Sequence, residues 1–318
     1  MKITLAAIKE AQSKIAPYII KTPLIRTYAL DEILGCEVYL KLENMQVTHS
    51  FKYRGAINKM LNLTLKEKQN GIVTASSGNH GKAVAHAAKQ LGIEATVVVP
   101  NTASPFKIAA IEQYGATVVE CDVTERFAVS ERLAEVHGYT LFHPYDDEEI
   151  IVGQGTVGLE ILSQHPALDT VIVPTSGGGL LAGLLTAIKQ SNTDIRILGA
   201  EPYNMPRYSE SLTQKKRVKV ESRNTIADAL VTAQPGKLNF PIVQTYADGM
   251  LKVADDATIK AVELMLIESK ILSEPSGAIG PAAILDGAYS PALVEKVCFV
   301  ISGGNIGLEQ LSKLGAAH

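Results

Sequence analysis

Short apolar runs that alternate with longer stretches of helical periodicity constrain this chain more than any other feature. The runs fall at 71–76, 94–100, 116–122, 140–144, 169–176, 196–202, 250–255 and 296–302. Most are continuously apolar, whereas a sheet with one wet face would alternate. Such strands pair in parallel and are covered by helices on both faces. Helical patterns fill 78–92, 103–114, 124–136, 148–164, 179–190, 256–270, 276–288 and 305–313. The repeated strand–helix unit places the chain in the α/β class, and 318 residues suit two domains. In open sheets of this kind, ligands bind beyond the carboxyl ends of strands, where strand passes into helix.

Charge and cysteine usage narrow the class. Thirty basic against 33 acidic residues leave a net charge of −3. That gives no basic face for nucleic acid and no polybasic pull toward a membrane. Cys36, Cys121 and Cys298 are scattered with no CxxC, which suits a reducing cytoplasm and no disulfide framework. The start, MKITLAAIKEAQSKIAPYI, reads as an amphipathic helix, and no run is long enough to span a membrane. The basic stretch 214–224, QKKRVKVESRN, reads as a solvated loop or edge hairpin.

Four strand-to-helix junctions carry unusual residues. Ser176-Gly177-Gly178-Gly179 opens a helix. Consecutive glycines let backbone N–H groups converge on an anion, and the helix start adds its positive dipole end. The loop is neither a GxxxxGKS/T phosphate loop nor a GxGxxG turn, so the phosphate it suits is not that of a typically bound ATP or NAD. A sharp turn with no ligand is the alternative. Lys52 stands between Phe51 and Tyr53, neighbours that would desolvate its amine, lower its pKa and make it nucleophilic. The alternative is a surface lysine at a helix start. In Ser76-Ser77-Gly78-Asn79-His80-Gly81, Ser76 or Ser77 is expected to cap the next helix, whose free N–H groups suit a carboxylate. His80 and His86 are six residues apart and do not share a face as metal ligands would; His86 reads as a packing residue. Ser302-Gly303-Gly304-Asn305 ends the last run and presents a neutral hydroxyl, near the first glycine loop if the two strands are neighbours.

Together these junctions resemble the second fold type of pyridoxal-phosphate (PLP) enzymes, and within it the serine/threonine dehydratase and serine racemase group. The likeness runs in order through KLENMQVTHSFKYRGA, ASSGNHGKAVA, HPYDDEEIIVGQGTVGLEIL, PTSGGGLLAG, SEPSGAIGPAAIL and VISGGNIG, over essentially the whole chain. The resemblance implies two open twisted α/β domains of the tryptophan synthase β-like kind, with PLP in the cleft between them. Residues 1–46 and 143–318 would form the large domain and 47–142 the small inserted one. It implies that Lys52 holds PLP as a Schiff base, with Phe51 packed beside it. Gly177, Gly178, Gly179 and Leu180 would form the phosphate cup. Asn79 would bond the cofactor's 3′ oxygen, and Ser302 would partner the pyridine nitrogen. Ser76, Ser77, Gly78 and His80 would take the substrate carboxylate, and Ser77 would double as acid/base if the chain racemises.

The activity implied is an L-serine/L-threonine ammonia-lyase that releases a 2-oxo acid and ammonium by β-elimination. The alternatives are a serine racemase with side dehydratase activity and a 3-hydroxyaspartate dehydratase. A cytoplasmic homodimer is implied as well. A chain ending this soon after SGGN is not expected to carry the C-terminal regulatory domain of biosynthetic threonine dehydratases, nor to be inhibited by isoleucine. Three departures matter. Many relatives have glycine where His49 stands. Ser77, where threonine dehydratases typically have alanine, leans to the racemases, whereas HPYDD leans to the dehydratases. The racemases' cation site pairs an acid matching Glu201 with an aspartate where this chain has Arg207, so no metal is expected in the usual form. A nicotinamide dehydrogenase would also explain the α/β pattern but lacks its GxGxxG here. A PLP-reservoir protein would keep the phosphate cup without needing Ser77.

Overall fold

The computed structural model describes residues 3–191 and 194–315. Its ten strands divide between two sheets. The chain enters the larger sheet with β1 (Leu24–Arg26) and β2 (Glu37–Leu42), then leaves it for a four-stranded sheet. That smaller sheet holds β3 (Ile72–Ala75), β4 (Ala95–Pro100), β5 (Thr117–Cys121) and β6 (Thr140–Leu141) in the order β5-β4-β3-β6. The chain then returns with β7 (Thr170–Pro174), β8 (Arg196–Pro202), β9 (Gly249–Val253) and β10 (Lys296–Ile301), giving the order β1-β2-β10-β7-β8-β9. All pairs are parallel except β1 with β2, as the continuously apolar runs imply.

Each sheet reverses its winding once. In the smaller sheet β4 and β5 lie to one side of β3 and β6 to the other. In the larger, β8 and β9 extend one way from β7, while β10 and β2 extend the other. Such reversals leave a crevice between diverging loops at the carboxyl ends of the strands. The junctions after β3 and β6, and after β7 and β10, are therefore the ones topology favours for a ligand. β10 pairs directly with β7, Val297 opposite Thr170, so the two glycine turns that follow them are brought together.

The strand at 196–202 and the helix at 148–164 carry the boundaries their patterns imply. The run 140–144 is cut short. Phe142 still donates to the Val73 carbonyl (2.8 Å), but Pro144 has no N–H to extend the ladder. β1 and β2 were not among the expected strands. β1 has three residues, and β2 reads EVYLKL, with charges that look like solvent-facing positions. Lys41 is nevertheless fully buried.

It is buried because it belongs to a four-charge cluster. Arg54, also fully buried, donates through Nε to Glu43 Oε2 (2.7 Å) and through Nη1 to Glu160 Oε1 (2.7 Å). Its Nη2 reaches Glu43 Oε1 (2.8 Å) and Glu160 Oε2 (2.9 Å). Lys41 Nζ donates to Glu160 Oε2 (2.6 Å) and to the Thr22 carbonyl (2.7 Å). Two positive and two negative groups thus compensate in an interior that would reject any of them alone. Burial alone would raise Glu43, but the Arg54 charge, with its hydrogen bonds, outweighs that and holds the carboxyl below its ordinary range. Burial opposes the Arg54 charge too, and the two carboxylates more than offset it.

Arg54→Met should therefore cost about 3–5 kcal/mol of stability, because it leaves Glu43 and Glu160 buried without their main partner. Urea unfolding reads this directly. Glu43 ordinarily titrates at 4.5 and lies lower when folded, so its contribution is complete above 4.5 and lost as pH falls through the folded value. Arg54→Met should flatten that acid limb. A variant within about 0.5 kcal/mol of the parent would show that the cluster does not hold the interior together.

Candidate active site

A cleft of ≈ 230 Å³ opens where the favoured junctions meet. Among the described residues it is lined by Phe51, Lys52, Ser76, Ser77, Gly78, Asn79, His80, Gly177, Gly178, Gly179, Leu180 and Ser302. The expected site residues, which lie up to 251 positions apart in sequence, from Phe51 to Ser302, are thus brought to one place.

Lys52 begins the helix Lys52–Leu61. Its Nζ donates to the Pro144 carbonyl (2.6 Å) and stands 5.1 Å from the Phe51 ring centroid. Burial pushes its ammonium down to about 8. The segment before it is stitched to the last glycine turn. Phe51 N–H donates to the Ser302 carbonyl (3.0 Å), and Gly304 N–H to the His49 carbonyl (2.9 Å). His49 has φ +60°, the left-handed region, where a glycine would carry no Cβ penalty and histidine does. That is the physical content of the histidine-for-glycine departure.

The phosphate-type loop follows β7. Gly178 has φ +95° and caps the helix Gly179–Lys189, whose first N–H groups have no intrahelical acceptor. A Cβ on Gly177 would stand 2.3 Å from the Tyr145 ring, and one on Gly178 would stand 1.8 Å from Tyr208 Oη. No side chain fits at either position, so only backbone can run through this loop to the helix start. A buried amine held near neutrality beside such an anion cradle is what an aldehyde bearing a phosphate requires.

After β3, the helix Asn79–Leu91 turns its N-terminus to the cleft. Its cap is Gly78, with no side-chain cap, so the expectation that Ser76 or Ser77 caps this helix is corrected. The turn is too tight for either serine to reach the cap position. The Ser76 carbonyl packs against Gly81, where a Cβ would come within 2.0 Å, and Ser76 Oγ accepts instead from the Gly78 N–H (3.3 Å). Asn79 Nδ2 donates to Glu274 Oε1 (2.7 Å), and its Oδ1 accepts from Asn305 Nδ2 (2.7 Å). His80 is 2% exposed and donates from Nε2 to the Phe142 carbonyl (3.2 Å). Burial, then the Lys52 charge, hold its imidazole well below the usual histidine range. His80 therefore adds no positive side chain to the loop, only its backbone N–H.

Among the lining residues, Glu274 carried no sequence signal of its own. Glu274, from SEPSGAIG, is 4% exposed, and burial followed by the Asp228 charge pushes its carboxyl up to about 8. The two acids of HPYDD act as caps. Asp146 accepts from the N–H groups of Lys237 and Leu238 (both 2.8 Å), and Asp147 from those of Glu149 (3.0 Å) and Ile150 (3.1 Å). His86 packs edge-on between the Tyr53 and Tyr114 rings, as expected for a packing residue. Glu201 and Arg207 are both fully buried, 3.9 Å apart. Glu201 accepts from the N–H groups of Tyr208 (2.9 Å) and Ser209 (2.8 Å), while Arg207 donates to the carbonyls of Thr175 (2.9 Å) and Leu230 (2.6 Å). The guanidinium occupies the space beside Glu201, and the described residues contain no group of three or more His, Cys, Asp or Glu arranged to hold a metal.

Residues 15–303 match the family model described as "Pyridoxal-phosphate dependent enzyme". The chain is 39% identical over 314 residues to an L-threonine ammonia-lyase of Thermotoga maritima, covering 98% of this chain and 78% of that protein. It is 41% identical over 315 residues to a catabolic L-threonine dehydratase of Staphylococcus aureus, covering 98% and 91%. Among solved structures, maize serine racemase superposes with a TM-score of 0.93 at 40% identity, covering 98% of this chain and 96% of that one.

The buried amine sets a testable pH dependence. Its folded value lies below the ordinary 10.5, so Lys52 becomes the reactive free base above about 8. Uptake of PLP by apoenzyme, followed by absorbance, should speed up with pH, be half-maximal near 8 and then level off. A rate still climbing toward 10.5 would mean that Lys52 is not desolvated.

Proposed function

The chain belongs to the pyridoxal-phosphate-dependent enzymes, and on that premise we propose that it is an ammonia-lyase acting on L-threonine and L-serine. The observation that carries this reading is Lys52, a desolvated amine placed in one cleft with an anion cradle and a second helix N-terminus. Gly177, Gly178, Gly179 and Leu180 would hold the PLP phosphate, Lys52 its aldehyde carbon, Asn79 its 3′ oxygen and Ser302 its ring nitrogen. Once bound, PLP supplies the electron sink that lets Cα–H and the β-hydroxyl of an amino acid be lost.

The remaining work belongs to the chain. The N–H groups of Asn79 and His80, at a helix start with a positive dipole end, suit the substrate carboxylate, with Ser76, Ser77 and Gly78 shaping the turn. Lys52, free of its proton above about 8, is suited to accept the Cα proton as general base. The Ser302 hydroxyl is neutral and does not force a proton onto the ring nitrogen as a carboxylate would. A neutral partner there would suit loss of the β-hydroxyl. L-Threonine would give 2-oxobutanoate and ammonium, and L-serine pyruvate and ammonium. A homodimer working in the cytoplasm, and an inserted domain at 47–142, belong to the same proposal; the separate sheet β3–β6 supports the division.

Ser77 favours a second reading, serine racemisation alongside elimination. It lines the cleft, and with a base on one face of Cα a proton donor is needed on the other to invert that centre. Lys52→Ala should lower 2-oxo acid formation from L-threonine by about 10²-fold or more, measured by coupled assay. A variant that retains most of its rate would remove Lys52 from the chemistry.

Ser77→Ala separates the two readings. It should abolish D-serine formation while sparing much of the pyruvate released from L-serine, followed by chiral chromatography. Equal loss of both would make Ser77 structural. A parent enzyme with no D-serine activity would leave the plain L-lyase.

A further inference from the structure

Three donors converge on one backbone carbonyl of the glycine loop. The Gly177 oxygen accepts from Tyr208 Oη (3.0 Å), Asn239 Nδ2 (2.9 Å) and the Gly236 N–H (3.0 Å). A carbonyl has two lone pairs, so three donors use its full accepting capacity and fix its direction together. Tyr208 and Asn239 are both fully buried. Neither was singled out by the sequence, and neither is among the residues lining the cleft.

A trans peptide is planar, with its C=O and N–H pointing in opposite directions. Holding the Gly177 carbonyl toward Tyr208 and Asn239 therefore turns the Gly178 N–H the other way, to the side where Gly178 lines the cleft. The φ of +95° at Gly178 belongs to this same arrangement. Tyr208 is itself fixed, since its backbone N–H donates to the buried Glu201 carboxylate. Asn239 spends its other N–H on the Tyr145 carbonyl (3.0 Å), which ties the glycine loop to the HPYDD segment.

We propose that Tyr208 and Asn239 are positioning residues for the phosphate cup: by locking the Gly177 carbonyl outward they aim the Gly178 N–H at the cofactor phosphate. This rests on the reading of that loop as a phosphate cup. A glycine loop free to flip this peptide would present a carbonyl to the phosphate for part of the time, and the charge repulsion would weaken binding.

The test compares apoenzyme affinity for PLP and for pyridoxal, which has the aldehyde but no phosphate, in the parent, Tyr208→Phe and Asn239→Asp. Tyr208→Phe keeps the ring and deletes one donor. Asn239→Asp keeps the shape and replaces a donor with an acceptor. The proposal expects the PLP-to-pyridoxal affinity ratio to fall about fivefold in Tyr208→Phe, the effect of one lost hydrogen bond, and further in Asn239→Asp. The ³¹P resonance of bound PLP should shift in both. A ratio and resonance equal to the parent's in Tyr208→Phe would overturn the positioning role, even if its melting temperature fell. A parent that binds pyridoxal as tightly as PLP would overturn the phosphate cup itself, and the positioning role with it.

Discussion

The buried cluster of Lys41, Glu43, Arg54 and Glu160 is the interaction on which the site depends. It joins β2, the turn after it, the Lys52 helix and the helix Glu148–Gln164. Arg54 follows Lys52 by two positions, about 200° around a helix of 3.6 residues per turn. Drawing the Arg54 guanidinium into the interior therefore turns Lys52 away from it, toward the cleft. The reactive lysine is turned to the cleft by what Arg54 binds, and its own bond to the Pro144 carbonyl completes the placement.

A second constraint is the pairing of β10 with β7. It sets the SGGG and SGGN turns side by side at the winding reversal of the larger sheet. The Phe51–Ser302 and His49–Gly304 hydrogen bonds then fasten the Lys52 segment to the second of those turns. The cleft that results buries the Lys52 amine and receives the N-termini of the helices Asn79–Leu91 and Gly179–Lys189. Burial lowers the pKa of a lysine, and helix starts suit anions.

Much of this was legible in the sequence because it is local. Continuously apolar runs gave the parallel strands, and glycine turns after strands marked the junctions that form the cleft. What escaped was either short or non-local. β2 was hidden because Lys41 looks like a surface residue until Glu160, 119 positions away, is brought to it. Tyr208 and Asn239 meet Gly177 across 31 and 62 positions and carry no motif. Glu274 sits in SEPSGAIG, but only its burial and its bond to Asn79 give it meaning. The capping expectation at Ser76 and Ser77 failed because the residue types favour a cap, while the approach of the Ser76 carbonyl to Gly81 decides the geometry.

The central claim is that the chain presents one lysine, Lys52, to an aldehyde cofactor. Lys82 is the natural competitor, since it also lines the cleft and burial lowers its pKa too. Borohydride reduction of the holoenzyme, followed by digestion and mass spectrometry of the pyridoxyl-labelled peptide, decides between them. The account predicts the label on the peptide that contains Ser50-Phe51-Lys52. Label on Lys82, or on any other lysine, would contradict it.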